Sequence, residues 1–254
     1  MLLEEFDPNR HALINPADVA NRQTFATDFP ETVLCPFSAK LVAALLAAKQ
    51  LTQIGGLSSI NGVEPIYQYE TGGKRFALIM PRIGAANAVG LLEEVYGAGG
   101  RNFVVFGSCG VLDSNLAADT LIIPTEAIRD EGTSYHYAPA APTIAAAPAA
   151  VTTMNAAFEA GHFAHQQAIT WTTDAFYRET AARKQRMLGL GAQVVEMEAA
   201  ALFAWSQFRH LGLYQFFYTA DHVAEAGWDE RKADRKRPEH DFFAAAVAVA
   251  AAVS

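Results

Sequence analysis

The sequence predicts an α/β protein in which helices cover the faces of a mainly parallel sheet. Short apolar runs, such as FVVF at 103–106, are typical of strands buried on both faces. Alanine-rich segments with helical apolar spacing, such as residues 38–51, alternate with these runs. Strands that alternate with helices favour parallel pairing, because each crossover helix returns the chain to the same edge of the sheet.

The first part of the chain contains breakers, then a strand and a helix. Residues 1–32 are mixed and polar, with three prolines as breakers. ETVLCPF at 31–37 predicts a strand that runs into a turn, and the helix over 38–51 follows. Two further strands are predicted at Pro65–Tyr69 and Arg75–Met80, joined by the hairpin turn ETGGK.

The segment 81–110 is the most regular unit of the chain. It predicts a turn, a helix over Ala88–Tyr96 and the buried strand FVVF. Gly97, Gly99 and Gly100 are expected to end the helix, because glycine favours helix C-termini. The sequence GSCG then predicts a glycine-rich turn directly after the strand.

The second half continues the same alternation. TLIIP at 120–124 and QAITWTT at 167–173 predict strands, and the Pro- and Ala-rich residues 138–150 predict a surface connection. A helix over 180–191 and a strand over 213–221 follow, and the apolar residues 242–254 predict a final helix. No internal repeat is visible, so we expect one domain over residues 1–254.

Composition restricts the function classes. About half of the 254 residues are hydrophobic, and the formal net charge is −8, which argues against nucleic acid as the main partner. Two cysteines predict neither a disulfide framework nor a metal cluster. The acidic N-terminus has no signal-peptide pattern, and the apolar C-terminal run is too short to span a bilayer. We therefore expect a cytoplasmic protein without a metal ion or membrane partner.

The stretch VVEMEAAALF at 194–203 carries two carboxylates where a strand turns into a helix. Glu196 and Glu198 flank Met197. Buried carboxylates can accept hydrogen bonds from sugar hydroxyls, and a thioether can pack against a sugar face. The alternative is that the pair only complements the positive end of a helix.

Other candidate residues follow the ends of predicted strands. Gly107 and Ser108 lie in the GSCG turn, where backbone N–H groups and a hydroxyl can bind an anion, although an ordinary tight turn is the alternative. Asp221 ends a strand and can act as a general acid, or simply cap the next element. Phe176 and Tyr177 can stack on a base or fill the core.

The remaining polar groups have simpler interpretations. Arg129 and Glu131 read as a surface ion pair, and the charged run 229–237 as a solvated surface. His136, His162 and His165 form no set of metal ligands. Cys109 lacks a neighbouring base, so a small buried thiol is favoured over a nucleophile.

These motifs, taken together and in this order, resemble the nucleoside phosphorylase family, which includes hexameric purine nucleoside phosphorylases, uridine phosphorylases and related nucleosidases. The likeness is carried by five segments spanning about residues 81–223. They are PRIGAANAVGLLEEVYGAGGRNFVVFGSCGVL, DTLIIPTEAIRDEGTSYHY, TTDAFYRET, VVEMEAAALF and TAD. The resemblance implies an α/β fold with a twisted, mixed central sheet flanked by helices.

The resemblance also implies an activity and roles for its residues. The activity is cleavage of the bond at C1′ of a nucleoside, with inorganic phosphate as co-substrate and no cofactor. Met197 and Glu198 would hold the ribose, Glu196 would line the ribose and base region, and Asp221 would protonate a purine at N7. Phe176 and Tyr177 would bind the base, and Gly107 and Ser108 would lie in the phosphate site.

The segments that would form the phosphate site depart from the family pattern. CPFSAK stands where many members carry Gly-Asp-Pro-x-Arg, so Lys40 would replace an arginine as a point charge. Val105 stands where an arginine usually precedes the site serine, and only Arg82, Arg129 or an arginine of 231–237 is left to compensate. A nucleosidase that uses water, and a member that only binds nucleosides, therefore stay open beside the phosphorylase.

Two further expectations concern the substrate and the assembly. Thr180 and Ala182 stand where uridine phosphorylases read uracil, which favours a purine nucleoside. The resemblance implies a homo-oligomer built from dimers, up to a hexamer, in which His11 would reach a neighbouring site.

Overall fold

The computed structural model describes residues 4–20, 25, 28–60, 62–224, 227–231, 233–234 and 237–254. Over these residues the chain forms one large sheet with helices on both sides. Lys232, Arg235 and Lys236 of the charged run lie outside the described residues.

The helices agree with the expected pattern, with two additions. The seven described helices are α1 Pro16–Ala20, α2 Ala39–Ala47, α3 Ala85–Ala98, α4 Pro148–Ala160, α5 Ala181–Gly189, α6 Ala199–Arg209 and α7 Glu239–Ala252. Helix α3 begins three residues earlier than predicted and runs through Gly97; the chain leaves it at Gly99, whose φ of +127° suits glycine. Helix α4 lies partly in the segment that the sequence assigned to a surface connection.

The strands include three that the sequence did not predict. The described strands are β1 Thr32–Pro36, β2 Leu51–Ser59, β3 Gly62–Thr71, β4 Lys74–Leu78, β5 Asn102–Val111, β6 Leu121–Asp130, β7 Thr143–Ala145, β8 His165–Thr173, β9 Ala192–Glu196, β10 Gly212–Ala224 and β11 Gly227–Asp229. The three unpredicted strands are β2, β7 and β11, and the longest of them, β2, lies at the far edge of the sheet and pairs antiparallel with β3.

The sheet is mixed, so the expectation of a mainly parallel sheet was wrong and the one implied by the family resemblance is confirmed. Strand β5 pairs parallel with β1 and β10 but antiparallel with β9. Strand β10 also pairs antiparallel with β6, and β6, β8 and β9 follow in parallel. Strands β5, β10, β6, β8 and β9 therefore close into a ring, from which β1, β4, β3 and β2 extend.

The core is built on both faces of this sheet. One cluster joins α3 and α6 to the sheet around the fully buried Trp205 and Phe103, whose rings meet edge to face with centroids 5.0 Å apart. A second cluster lies under α2, α4 and α7 and stacks Tyr218 on Phe242 with ring centroids 4.1 Å apart. Burial of this much apolar surface holds the strand ends in fixed relative positions.

Among the described residues, none of the helices has the length and apolar character that crossing a bilayer requires.

Candidate active site

A pocket of about 870 Å³ opens where β5, β9 and β10 carry polar residues at or near their carboxyl ends. The connection from β8 to α5 and the strand β11 complete its walls. A ligand in an open α/β sheet commonly binds at this edge. The residues lining the pocket include Phe37, Ile83, Gly107, Ser108, Phe176, Tyr177, Glu179, Lys184, Glu196, Met197, Glu198, Gln215, Phe217, Asp221, Val223 and Trp228.

Glu196 is held by hydrogen bonds within the protein. Its Oε2 accepts from the backbone N–H groups of Glu198 and Ala199, both at 2.7 Å, at the start of α6. Its Oε1 accepts from the hydroxyls of Thr172 at 2.6 Å and Thr170 at 3.3 Å. These contacts satisfy two N–H groups that the helix leaves without partners, so Glu196 caps α6 while it also lines the pocket.

Glu198 is buried but makes fewer contacts. Its Oε1 accepts a 2.6 Å hydrogen bond from the backbone N–H of Gly84, the residue before α3. Burial, followed by the charge of Glu196, raises the pKa of the Glu198 carboxyl above its usual range. The group therefore lies in the pocket wall beside Met197 with capacity for further hydrogen bonds.

The sequence predicted Asp221 at the end of a strand, but the structure places it inside β10. The strand continues to Ala224 because its last residues pair antiparallel with β11, after a register irregularity between Thr219 and His222. The indole N–H of Trp228 on β11 donates to Asp221 Oδ2 at 2.8 Å. This bond fixes one carboxylate oxygen, and the carboxyl group lines the pocket.

Two aromatic residues form the rim of the pocket near α5. Phe176 and Tyr177 lie on a short turn of 3₁₀ helix with ring centroids 3.9 Å apart, and their exposed fractions are 50% and 87%. The alternative interpretation, that these two residues fill the core, is therefore wrong. Their exposed faces suit stacking against a planar base.

Two ionisable residues beside this rim were not predicted. Burial, followed by the charge of Asp221, raises the pKa of Glu179 to about 7. Lys184 on α5 is 5% exposed, and its ammonium group donates to the backbone carbonyl of Val223. The sequence placed Lys184 only in a polar helix, and no sequence signal distinguished it from a surface lysine.

The GSCG segment is a strand and not the glycine-rich turn that the sequence predicted. Strand β5 continues through Gly107 and Ser108 because β10 pairs with both residues. Gly107 approaches Phe37 so closely that a Cβ there would lie 2.8 Å from the Phe37 Cβ, which excludes a larger side chain. Both residues line the pocket, and Ser108 is exposed.

Lys40 lies outside the pocket. It is the second residue of α2, its side chain is 85% exposed, and its Nζ is 3.9 Å from a carboxylate oxygen of Glu239. The structure therefore does not bring Lys40 to Gly107 and Ser108, and its phosphate-binding role stays a sequence prediction. His11 is likewise exposed and does not line the pocket.

The arginines that could replace the missing phosphate-binding arginines make contacts elsewhere in the protein. The guanidinium of Arg82 pairs with Glu64, its Nε lying 2.6 Å from Oε1. Arg129 is not part of a surface ion pair, because it is 6% exposed and donates to Ser134 Oγ at 2.8 Å and to two backbone carbonyls. Arg231 donates to the backbone carbonyl of Leu116.

The charge of the pocket follows from these placements. Four carboxyl groups line it, and Lys184 is the one cationic side chain among its lining residues that the structure describes. The ammonium group of that lysine donates to the backbone carbonyl of Val223. The described chain therefore offers hydroxyl-binding and acidic groups in the pocket, and uncharged groups where the anion site was predicted.

A family model, described as the phosphorylase superfamily, matches residues 16–254. The chain belongs to the phosphorylase superfamily. Its members cleave nucleosides, either by phosphorolysis or by hydrolysis. This membership confirms the resemblance that the five sequence segments indicated.

Individual relatives of this superfamily are distant. A guanosine phosphorylase of Halorubrum lacusprofundi is 29% identical over 123 residues, which cover 48% of this chain. The match spans about half the length of that relative, 51%. The crystal structure of an AMP nucleosidase from Bacteroides thetaiotaomicron has a TM-score of 0.70 with 17% identity and covers 89% of each chain. The latter likeness shows the fold alone.

Proposed function

We propose that this protein cleaves the N-glycosidic bond of a purine nucleoside with inorganic phosphate, giving the free base and ribose 1-phosphate. The observation that carries the proposal is the convergence of Glu198, Met197 and Asp221 on one pocket with Phe176 at its rim. These residues come from three separate segments of the chain. They supply a hydroxyl acceptor, an apolar face, an acid and a stacking surface.

Glu198 and Met197 form the ribose half in this proposal. The Glu198 carboxyl accepts hydrogen bonds from the 2′ and 3′ hydroxyls, and the thioether of Met197 packs against the sugar face. The Gly84 N–H keeps the carboxyl in place before a ligand arrives. Such positioning reduces the entropy that is lost when the substrate binds.

Asp221 supplies the acid in this proposal. As the bond at C1′ breaks, negative charge develops on the leaving base, and a proton delivered to N7 neutralises it. A positioned acid contributes on the order of 10²–10⁴-fold to such a step. The Trp228 N–H orients the carboxyl by holding Oδ2, and the other oxygen carries the proton toward the base.

Hydrolysis is the second candidate, because of one observation. Among the described lining residues Lys184 is the one cation, and its ammonium group already donates to the carbonyl of Val223, whereas phosphate is bound most tightly by arginine or lysine. Water needs no cation, so the same ribose and base groups would serve a nucleosidase. The guanosine phosphorylase relative supports phosphate as the acceptor.

We also propose a cytoplasmic homo-oligomer built from dimers, up to a hexamer, with no cofactor. Exposed apolar side chains at the pocket mouth support this assembly, because a neighbouring copy would cover them. They are Ile83, Phe176, Tyr177 and Trp228.

A nucleoside panel with and without phosphate tests the function. Inosine, guanosine, adenosine and uridine are incubated with the protein, and the base, ribose and ribose 1-phosphate are measured. We expect purine release only with phosphate, together with ribose 1-phosphate. Equal release without phosphate and free ribose would establish the nucleosidase instead, and binding without any release would overturn both.

A further inference from the structure

Lys184 is a buried cation in the wall of the pocket. It lies on α5, is 5% exposed, and is among the lining residues. Its ammonium group donates to the backbone carbonyl of Val223, and no carboxylate of the described residues pairs with it. Lysine is almost never fully buried unless it is paired, and an ammonium group has three N–H donors. A ligand in the pocket is therefore expected to supply a further acceptor.

The surroundings of Lys184 place its ammonium group at the end of the pocket that carries Asp221. Ala181, three residues earlier on the same face of α5, also lines the pocket. Val223, the carbonyl partner, is two residues after Asp221 on β10, so their Cα atoms are roughly 7 Å apart. Burial, followed by the charge of Lys184, lowers the pKa of His222, the residue between them. The ammonium group is therefore near the carboxyl that we propose as the acid.

This position relates Lys184 to one edge of a purine. In the proposed function Asp221 protonates N7, and the substituent at C6 lies next to N7 on the same edge of the ring. A 6-oxo group accepts hydrogen bonds there, whereas a 6-amino group presents N–H donors, which an ammonium group repels. Part of the negative charge on a departing 6-oxopurine also rests on O6, where a cation stabilises it.

We propose that Lys184 donates a hydrogen bond to O6 of the base and makes the pocket selective for 6-oxopurine nucleosides, those of guanine and hypoxanthine. This inference rests on the proposed function, because it takes a purine base beside Asp221. The alternative is that Lys184 only anchors α5 to β10 through the carbonyl of Val223. An anchor affects stability but makes no distinction among bases, so base selectivity separates the two roles.

Binding of free bases, measured by titration calorimetry, tests this proposal without requiring turnover. Hypoxanthine carries a 6-oxo group, adenine a 6-amino group, and purine neither. The variant is Lys184→Met, and the control is Arg186→Met, which removes an exposed cation of α5 outside the pocket. We expect wild type and control to bind hypoxanthine more tightly than adenine or purine. In Lys184→Met the Kd for hypoxanthine should rise about 10- to 100-fold, while that for purine stays close to the wild-type value.

A second variant separates recognition from an anchoring role. Lys184→Gln keeps an N–H donor without the charge, so it should lose less affinity for hypoxanthine than Lys184→Met, and it carries the same test if Lys184→Met does not fold. A lower Tm with an equal loss of affinity for all three bases would show an anchoring role and overturn the proposal. Equal binding of hypoxanthine and adenine by the wild type, or no binding of any base, would also overturn it.

A phosphate-binding role for Lys184 gives another result. A rise in Tm with sodium phosphate that Lys184→Met abolishes, while its base affinities stay at the wild-type values, would assign the ammonium group to the acceptor and overturn the proposal. Sodium chloride of equal ionic strength is the reference, because it removes the general effect of salt.

Kinetics distinguish failure of this inference from failure of the proposed function. If the wild type cleaves nucleosides with phosphate, Lys184→Met should lower kcat/KM for inosine about 10- to 100-fold more than that for purine riboside, which lacks O6. An equal fall for both nucleosides would overturn the role of Lys184 and leave the proposed function intact. If no nucleoside is cleaved, the proposed function fails, while the base affinities still decide the role of Lys184.

Discussion

At the scale of single residues, Glu196 and Glu198 have different surroundings although only Met197 separates them. Four donors contact Glu196, whereas the backbone N–H of Gly84 holds Glu198. The sequence predicted a carboxylate pair at this strand-to-helix junction and left capping and ligand binding as alternatives. In the structure Glu196 caps the helix, and Glu198 lines the pocket with fewer partners, so its role in binding a ligand stays a prediction.

Some pocket residues could be predicted from the sequence and others could not. Glu198, Asp221 and Ser108 lie in segments that carry the family resemblance, and the structure brings all three to one pocket. Lys184 and Gln215 carried no signal, because a lysine in a polar helix and a glutamine in a strand are ordinary at the surface. Their burial depends on the packing of α5 and β10, which a single sequence does not reveal.

Glu179 gives a pH-dependent contribution to stability that a variant can isolate. Its pKa is about 7 in the folded protein, above the ordinary 4.5, because burial and Asp221 disfavour its charged form. The folded state therefore keeps this proton longer than the unfolded state does. The contribution is fully present below pH 4.5 and is lost as the pH rises through about 7.

We expect Glu179→Gln to reduce the fall in Tm between about pH 5 and about pH 8, because glutamine does not titrate. Thermal unfolding of both proteins across this range measures the effect. Asp174→Asn, a change of an exposed carboxyl outside the pocket, serves as the control. Parallel Tm curves for wild type and Glu179→Gln would contradict the assigned pKa.

At the scale of elements, the predictions failed where local pattern and tertiary pairing disagree. Strand β2 contains adjacent glycines and no clear alternation, so the sequence predicts no strand there, yet it pairs with β3 from Leu51 to Ser59. The GSCG segment looks like a turn but is held as strand by β10. Helix α4 is hidden by the Pro- and Ala-rich residues before it.

The junction between β9 and α6 permits a comparison of two equal truncations. Glu196→Ala removes the cap of α6 and leaves the hydroxyls of Thr170 and Thr172 without their acceptor. We expect it to lower the free energy of unfolding by about 1–3 kcal/mol, measured by urea denaturation. Glu198→Ala should lower that free energy less, because its carboxyl accepts from the Gly84 N–H whereas that of Glu196 accepts from four donors.

The same two variants also distinguish an effect on stability from an effect on nucleoside binding. Glu198→Ala should weaken nucleoside binding and slow turnover together, because its carboxyl is the proposed acceptor of the ribose hydroxyls. Equal kcat and KM in Glu198→Ala and wild type would remove Glu198 from the site. A larger loss of stability in Glu198→Ala than in Glu196→Ala would contradict the assignment of the cap.

At the scale of the whole molecule, five strands close into a ring, and this closure brings the pocket residues of β5, β9 and β10 together. Strands β5 and β10 pair from one end of β5 to the other, with a register irregularity between Thr219 and His222, and β9 pairs with β5 and β11 with β10 close to it. Residues of all four strands line the pocket, so residues far apart in sequence line one space. Alternation of elements predicted the α/β class, but ring closure depends on antiparallel pairs that alternation does not indicate.

The central claim is that Asp221 protonates a purine leaving group, and one comparison of substrates tests it most directly. Asp221→Asn is assayed with a purine nucleoside and with p-nitrophenyl riboside, whose leaving group departs as an anion without protonation. We expect the kcat for the purine to fall by about 10²–10⁴-fold while cleavage of the nitrophenyl substrate stays close to the wild-type rate. An equal change for both substrates, or an unchanged purine rate, would contradict the account.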